Sequence, residues 1–344
     1  MEETNMDYII EQLKKLTAIP SPSGFTQKVA EYTMHQLSAL GYAPKITTKG
    51  CVIADIGGEG NPIILAAHID TLGGMVAEIK ANGRLRLTRV GGLQPNNIEA
   101  ENCTVFTRCG KTFSGCMQMN DPSVHVNGEY AKQERDYKTM EVVLDEKVKS
   151  KEDTQNLGIS AGDFVCFDPR TVVTQSGFIK SRFLDDKLSV AILLAFAKHI
   201  ADNKIKLQRK VYIYITVYEE VGHGCSSLPV SADEILCVDM GCVGEGLTCD
   251  ETMVSICAKD SSGPYNYEMT SALINCAKDN KLAYAVDIYP FYGSDADTAL
   301  ISGHDMRHAL IGAGVYASHG YERSHIDGVN NTLELLKAYV IDGK

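Results

Sequence analysis

The chain has 344 residues, 44% of them apolar and 22% charged, enough for a large core divided between one big domain and a smaller one. A formal net charge of −11 with no basic stripe argues against a nucleic-acid partner, and no window reaches the roughly 18 to 20 uninterrupted apolar residues of a membrane helix. The opening "MEETNMDYIIEQLKKL" lacks the cationic and apolar regions of a secretory leader, so the expected location is the cytoplasm.

From the N-terminus, "DYIIEQLKKLTAIPSPSGFTQKVAEYTMHQLSALGY" places apolar residues at helical spacing on both sides of "IPSPSG", a loop rich in proline, serine and glycine. Two helices and a turn follow from this. The runs "GCVIADIGG" and "NPIILAAHID" read as strands, the second apolar throughout and therefore buried on both faces. From about residue 71 to 167 the texture changes to short alternating pieces such as "GRLRLTRVGG" and "ISAGDFVCFDP", with a charged stretch from Ala131 to Thr154. That predicts a small β-rich domain inserted into a larger one formed by residues 1–70 and 168–344. The charged stretch is open to two readings, a solvated loop or a subunit contact.

Beyond residue 167, "DDKLSVAILLAFAKHIADN" predicts a helix that begins at an aspartate pair, where carboxylates suit the macrodipole. "RKVYIYITVYEE", "ADEILCVDM" and "HALIGAGVYASH" predict strands, with a helix over "YEMTSALINCAKDNK". Alternating strands and helices make the fold class α/β, a mostly parallel sheet flanked by helices. The eleven cysteines are scattered and never spaced as C-x-x-C, which suits reduced thiols packed as small hydrophobes.

His68 and Asp70 follow "PIILAA", Glu219 and Glu220 follow "VYIYITVY", Asp239 follows "EILCV", and His319 follows "LIGAGVYAS". All are expected at the carboxyl ends of strands, the edge where open α/β sheets build sites. Asp185 and Asp186 can reach the same edge from the start of their helix. Adjacent glutamates repel each other unless a cation or a proton lies between them. Two histidines and several acids form a donor set that suits zinc, cobalt or manganese.

The motifs "AHIDTLGGMV", "SRFLDDK", "YEEVGHG", "CVDMG" and "SHGYE", in that order, resemble the tetrahedral aminopeptidases, co-catalytic metallopeptidases that include glutamyl and deblocking aminopeptidases. The resemblance implies a zinc-peptidase-like domain carrying a PDZ-like barrel, and two divalent metal ions per subunit, zinc foremost. Asp185 would bridge both ions, with His68 and Asp239 completing one site and Glu220 and His319 the other. Glu219 would be the general base that takes the proton of the attacking water, and Asp70 would accept the second ring proton of His68. Short peptides would be the substrates, with N-blocked peptides as the alternative, and the subunits would form a homo-oligomer, a tetrahedral dodecamer. Because "HGYERSH" replaces the family's usual "HSP", His325 rivals His319 for the last ligand position. His223 either lines the pocket or is solvated, and Asp295 is a candidate for shaping the pocket. A non-catalytic shell protein or a carbohydrase are the other readings.

Overall fold

The computed structural model describes residues 5–341. By its contacts the chain divides into two compact units, Met1–Asp70 together with Arg170–Lys344, and Thr71–Pro169.

The first unit opens with helices α1 (Asn5–Ala18) and α2 (Gln27–Ala39), then strands β1 (Lys45–Ile46), β2 (Val52–Gly57) and β3 (Ile63–His68). Every residue of β3 is buried, as its unbroken apolar sequence requires. The second unit holds β4 (Gly73–Ile79), β5 (Leu85–Val90), β6 (Asn102–Phe106), β7 (Thr112–Met119), β8 (Met140–Leu144), helix α3 (Lys151–Leu157) and β9 (Phe164–Phe167). Its strands close into a six-stranded barrel in the order β4-β5-β8-β7-β6-β9, filled by Val76, Leu87, Val105, Met117, Val142 and Val165. Closure leaves no free edge. The charged stretch from Ala131 to Thr154 is therefore neither one loop nor one surface. "MEVVL" inside it is barrel strand β8, and Ser150 begins α3 through a capping box with Asp153. Flanking charges hid a strand of five residues.

The first unit resumes with β10 (Val172–Val173), β11 (Phe178–Ser181), α4 (Leu184–Asp202), β12 (Val211–Thr216), β13 (Glu234–Val243) and β14 (Val254–Lys259). It ends with α5 (Tyr267–Asp279), β15 (Tyr284–Ile288), α6 (Asp295–Ile301), β16 (Arg307–Tyr316), β17 (Glu322–His325) and α7 (Ile326–Val340). Eleven strands form one sheet, ordered β1-β2-β12-β3-β13-β16-β17-β11-β10, with β14 paired to β16 and β15 to β14. The central strands β12, β3, β13 and β16 are parallel, as expected for a chain that returns through helices, whereas the flanking pairs β1–β2, β2–β12, β14–β16, β16–β17, β17–β11 and β11–β10 are antiparallel. Helix α4 is buried along nearly its whole length because "LSVAILLAFA" is apolar on every face. Among the described residues no helix is long and apolar enough to cross a membrane, and every cysteine is unbridged.

Candidate active site

Strand β3 ends at His68, which lies in register with Thr216, the last residue of β12. Two residues later the chain passes through Tyr218 at φ 70° into a 3-10 turn over Glu219–Val221, and leaves through Gly222 at φ 76°. The glutamate pair therefore stands on a tight turn just beyond the strand. The Asp70 carboxylate holds that turn: Oδ1 accepts from Glu219 N at 3.1 Å and Oδ2 from Glu220 N at 3.3 Å. Asp70 is held in turn by the "IPSPSG" loop, whose Ser23 hydroxyl donates to Oδ2 at 2.5 Å while Ser21 donates to the Ile69 carbonyl at 2.8 Å.

Asp295 supports the turn from beneath, accepting from Thr216 Oγ1 at 2.5 Å and from Cys225 N at 2.7 Å. A side chain at position 224 would meet the Asp295 carboxylate at 2.1 Å, so "VGHG" needs its second glycine there. The Lys49 ammonium closes the loop on the carbonyls of His223 and Gly224.

Asp185 and Asp186 lie at the entry to α4 with non-helical backbone angles, so regular helix begins after them. The Glu322 carboxylate fixes this entry, accepting from Leu184 N at 2.6 Å and Asp185 N at 3.2 Å through Oε2 and from His319 N at 3.1 Å through Oε1. One glutamate thus sets the backbone of two candidate ligands. Asp239 sits inside β13 and not at its end. Pairing with β3 stops at Cys237, and β13 then continues against β16 alone, which bares Asp239 on the side of β3. Its neighbour Gly312 permits this, since a Cβ there would lie 1.8 Å from the Asp239 carbonyl.

These elements bring the side chains together. Asp185 lies between the two imidazoles, Oδ1 at 3.1 Å from His68 Nε2 and Oδ2 at 3.5 Å from His319 Nε2. His319 Nε2 is also 3.5 Å from Glu220 Oε2, and His68 Nε2 is 3.6 Å from Glu219 Oε2. The ligand atoms of His68, Asp186 and Asp239 lie within 4.8 Å of one another, as do those of His68, Asp185 and Glu220. The oxygen nearest to His68 Nδ1 is the Asp70 carbonyl at 2.9 Å, with the carboxylate 3.6 Å away and engaged with the turn.

Burial pushes Glu219 and Glu220 well above the ordinary carboxylate range, and neighbouring acids add to the rise against the pull of His68. Burial and then Asp185 push Asp239 up to about 7. At Asp185 burial is outweighed by His319 and His68, which hold it below the usual range. His68 itself is raised well above its ordinary value because Glu219, Asp185 and Asp70 overcome its burial. Asp186 Oδ1 and Glu220 Oε1 are buried with no hydrogen-bond partner. Orphaned carboxylate oxygens beside two imidazoles fit a divalent cation, which would supply the missing positive charge.

Not every candidate joins the cluster. His325 caps α7, accepting from Asp327 N at 3.1 Å, and its other nitrogen meets the Ser176 carbonyl at 2.8 Å. His223 is exposed and outside the set of residues that line the cavity. Asp295 buttresses and does not line. The roles of Asp186, Ser23 and Thr216 went unassigned in sequence, although adjacency to Asp185 and the proline-fixed loop were signals for the first two.

An α/β sheet that gathers two histidines and several carboxylates at one edge, beside a cavity of about 520 Å³, has the frame of a hydrolase with the donor set of a metal centre. The pattern of the M42 glutamyl aminopeptidase family matches residues 50–335, and the chain belongs to that family. Protein YhfE of Bacillus subtilis (strain 168) is 45% identical over 340 residues, covering 98% of each chain. The glutamyl aminopeptidase of Lactococcus lactis subsp. cremoris is 27% identical over 218 residues, 62% of this chain and 60% of its own. The solved Pyrococcus horikoshii TET1 peptidase, which can assemble into a tetrahedron or a large octahedral shell, matches with a TM-score of 0.85 at 22% identity over 97% of this chain and 99% of that one. The family resemblance of the sequence and its fold class stand confirmed.

Proposed function

We propose that this chain is a dinuclear metal-dependent aminopeptidase that releases N-terminal residues from short peptides. The observation that carries the reading is the convergence of His68, Asp185, Glu220, Asp239 and His319 around carboxylate oxygens that lack protein partners. Those five residues would hold two divalent cations, zinc foremost, with Asp185 between the two histidines as the bridge. When bound, the cations would polarise the scissile carbonyl and acidify a water.

The chain's own residues divide the remaining work. Glu219 lines the cavity and has its backbone fixed by Asp70, so its carboxylate can take the proton of the attacking water and return it to the leaving amine. The contact of His68 Nδ1 with the Asp70 carbonyl fixes the tautomer that leaves Nε2 free to face Asp185. Glu322 holds the backbones of Asp185 and His319 at a constant separation. A free peptide amine entering this acidic cavity meets carboxylates, whereas an acetylated terminus offers no charge to pair. A homo-oligomeric shell belongs to the same proposal, supported by the family relationship.

The test compares one short peptide with its amine free or acetylated, at fixed pH and metal concentration. Residues should leave singly from the free peptide, with kcat/KM at least about tenfold higher, equivalent to about 1.4 kcal/mol. Equal rates or internal cleavage would reject the exopeptidase assignment. Light scattering should show a particle well above 37.5 kDa.

A further inference from the structure

The cavity beside the candidate metal centre has two chemically different parts. Its acidic part carries Asp185, Glu219, Glu220 and Asp239 with the half-exposed His319. Its rim carries Phe291, 96% exposed, and Ile301, 80% exposed, while Met240, Cys242 and Tyr292 line the cavity further in. Exposed aromatic and branched side chains at the mouth of a cavity are apolar surface without a partner. No lysine or arginine lines the cavity among the described residues.

Outside the candidate ligands and base, the one charged side chain in the lining is Asp297, and it is committed to the fold. It forms the capping box of α6 with Ser294, accepting from Ser294 N at 3.0 Å, and lies 3.5 Å from the Tyr265 hydroxyl. An incoming carboxylate side chain would find no cation and one acid on this wall. A carboxylate placed there loses part of its hydration without gaining a partner, whereas covering Phe291 and Ile301 with an apolar side chain is favourable.

We infer that the cavity selects peptides whose N-terminal side chain is apolar, leucine-like or phenylalanine-like, and rejects N-terminal glutamate and aspartate, with Phe291 and Ile301 as the selecting residues. The inference rests on the aminopeptidase reading and differs from the glutamyl activity after which the family is named.

The test is a panel of aminoacyl p-nitroanilides of Leu, Phe, Ala, Lys and Glu, assayed with the full-length, metal-loaded protein. Leu and Phe should exceed Ala by about tenfold in kcat/KM and Glu by about a hundredfold, the scale that apolar pockets and unpaired charges set. Phe291→Ala should lower kcat/KM for Leu and Phe about tenfold, mainly through KM, with a smaller change for Ala and unaltered metal content. Ile301→Lys should raise the Glu/Leu ratio at least about tenfold by supplying the missing cation. Release that favours Glu or Lys, or a Glu/Leu ratio that Ile301→Lys leaves unmoved, would overturn this inference alone. Release from no substrate at full metal content would overturn the aminopeptidase reading, and this inference with it.

Discussion

Strand β13 carries two buried carboxylates that the protein treats in opposite ways. Glu234, its first residue, meets Arg209 Nη1 at 2.7 Å, Arg307 Nη2 at 2.8 Å and the Tyr339 hydroxyl at 3.0 Å. Asp239, five positions further along the same strand, accepts from its own neighbour Met240 N at 2.6 Å and stands among other acids. Glu234 serves the fold and brings its cations and a hydroxyl donor with it. Among the described residues the acids around Asp239 have two imidazoles between them, so their charge is balanced by retained protons or, on the reading proposed above, by bound cations.

The largest effect expected from this contrast lies in the glutamate pair. Glu219→Gln should keep the metal and lose about two to four powers of ten in kcat, the usual cost of removing a general base. Glu220→Gln should lose metal, because its orphaned oxygen is a donor without a protein partner. Metal content and turnover of the two variants decide it, and equal metal loss from both would reject the division of labour.

Stability measurements sharpen the contrast along β13. Glu234→Gln should destabilise the protein by about 1–3 kcal/mol, since it leaves two guanidinium groups without their acceptor. Asp239→Asn should do the reverse in metal-free protein at pH 8, stabilising it by about 1 kcal/mol while loosening one of the two metal sites. Urea unfolding of both variants should show shifts of opposite sign. Shifts of the same sign would mean that the two acids are equivalent.

A pH series probes the same difference more gently. In metal-free protein Asp239 keeps its proton up to about pH 7, against an ordinary value of 3.8. The folded state therefore binds more protons than the unfolded state between those limits, and stability falls as pH rises through that window. Glu322, raised to about 8 by burial and by Asp185, extends the fall on the alkaline side. The melting temperature of chelator-treated protein should accordingly be higher near pH 5 than near pH 8. A melting temperature that rises from pH 5 to 8 would contradict the raised carboxylates.

The smallest effects separate the two late histidines. His325→Ala should cost about 1 kcal/mol, the loss of a helix cap, and leave metal content unchanged. His319→Ala should strip or loosen one ion with little change in the stability of the metal-free protein.

Much of this was legible in the sequence because apolar runs give strands their identity and leave polar residues conspicuous at the ends. "PIILAAHID" yields β3, its burial and the positions of His68 and Asp70 in one reading. Asp239 was harder, since a strand that outlasts its neighbour looks the same in sequence as one that stops. Strand β8 was hidden because local charge density outweighed a five-residue apolar run. The hold of Asp70 on the glutamate turn, and of Glu322 on the backbone of Asp185, depends on contacts between residues more than a hundred positions apart. No local pattern encodes such a pairing, and neither did one mark His325 as a cap and not a ligand.

The central claim is that the cluster of His68, Asp185, Glu220, Asp239 and His319 is completed by two divalent cations. The most direct measurement is elemental analysis of protein stripped with chelator, reloaded with zinc and separated from free metal. The account predicts two ions per chain in the unmutated protein, and one or fewer after Asp185→Asn because the bridging carboxylate is lost. Fewer than one ion per chain in the unmutated protein, or two retained after Asp185→Asn, would contradict it.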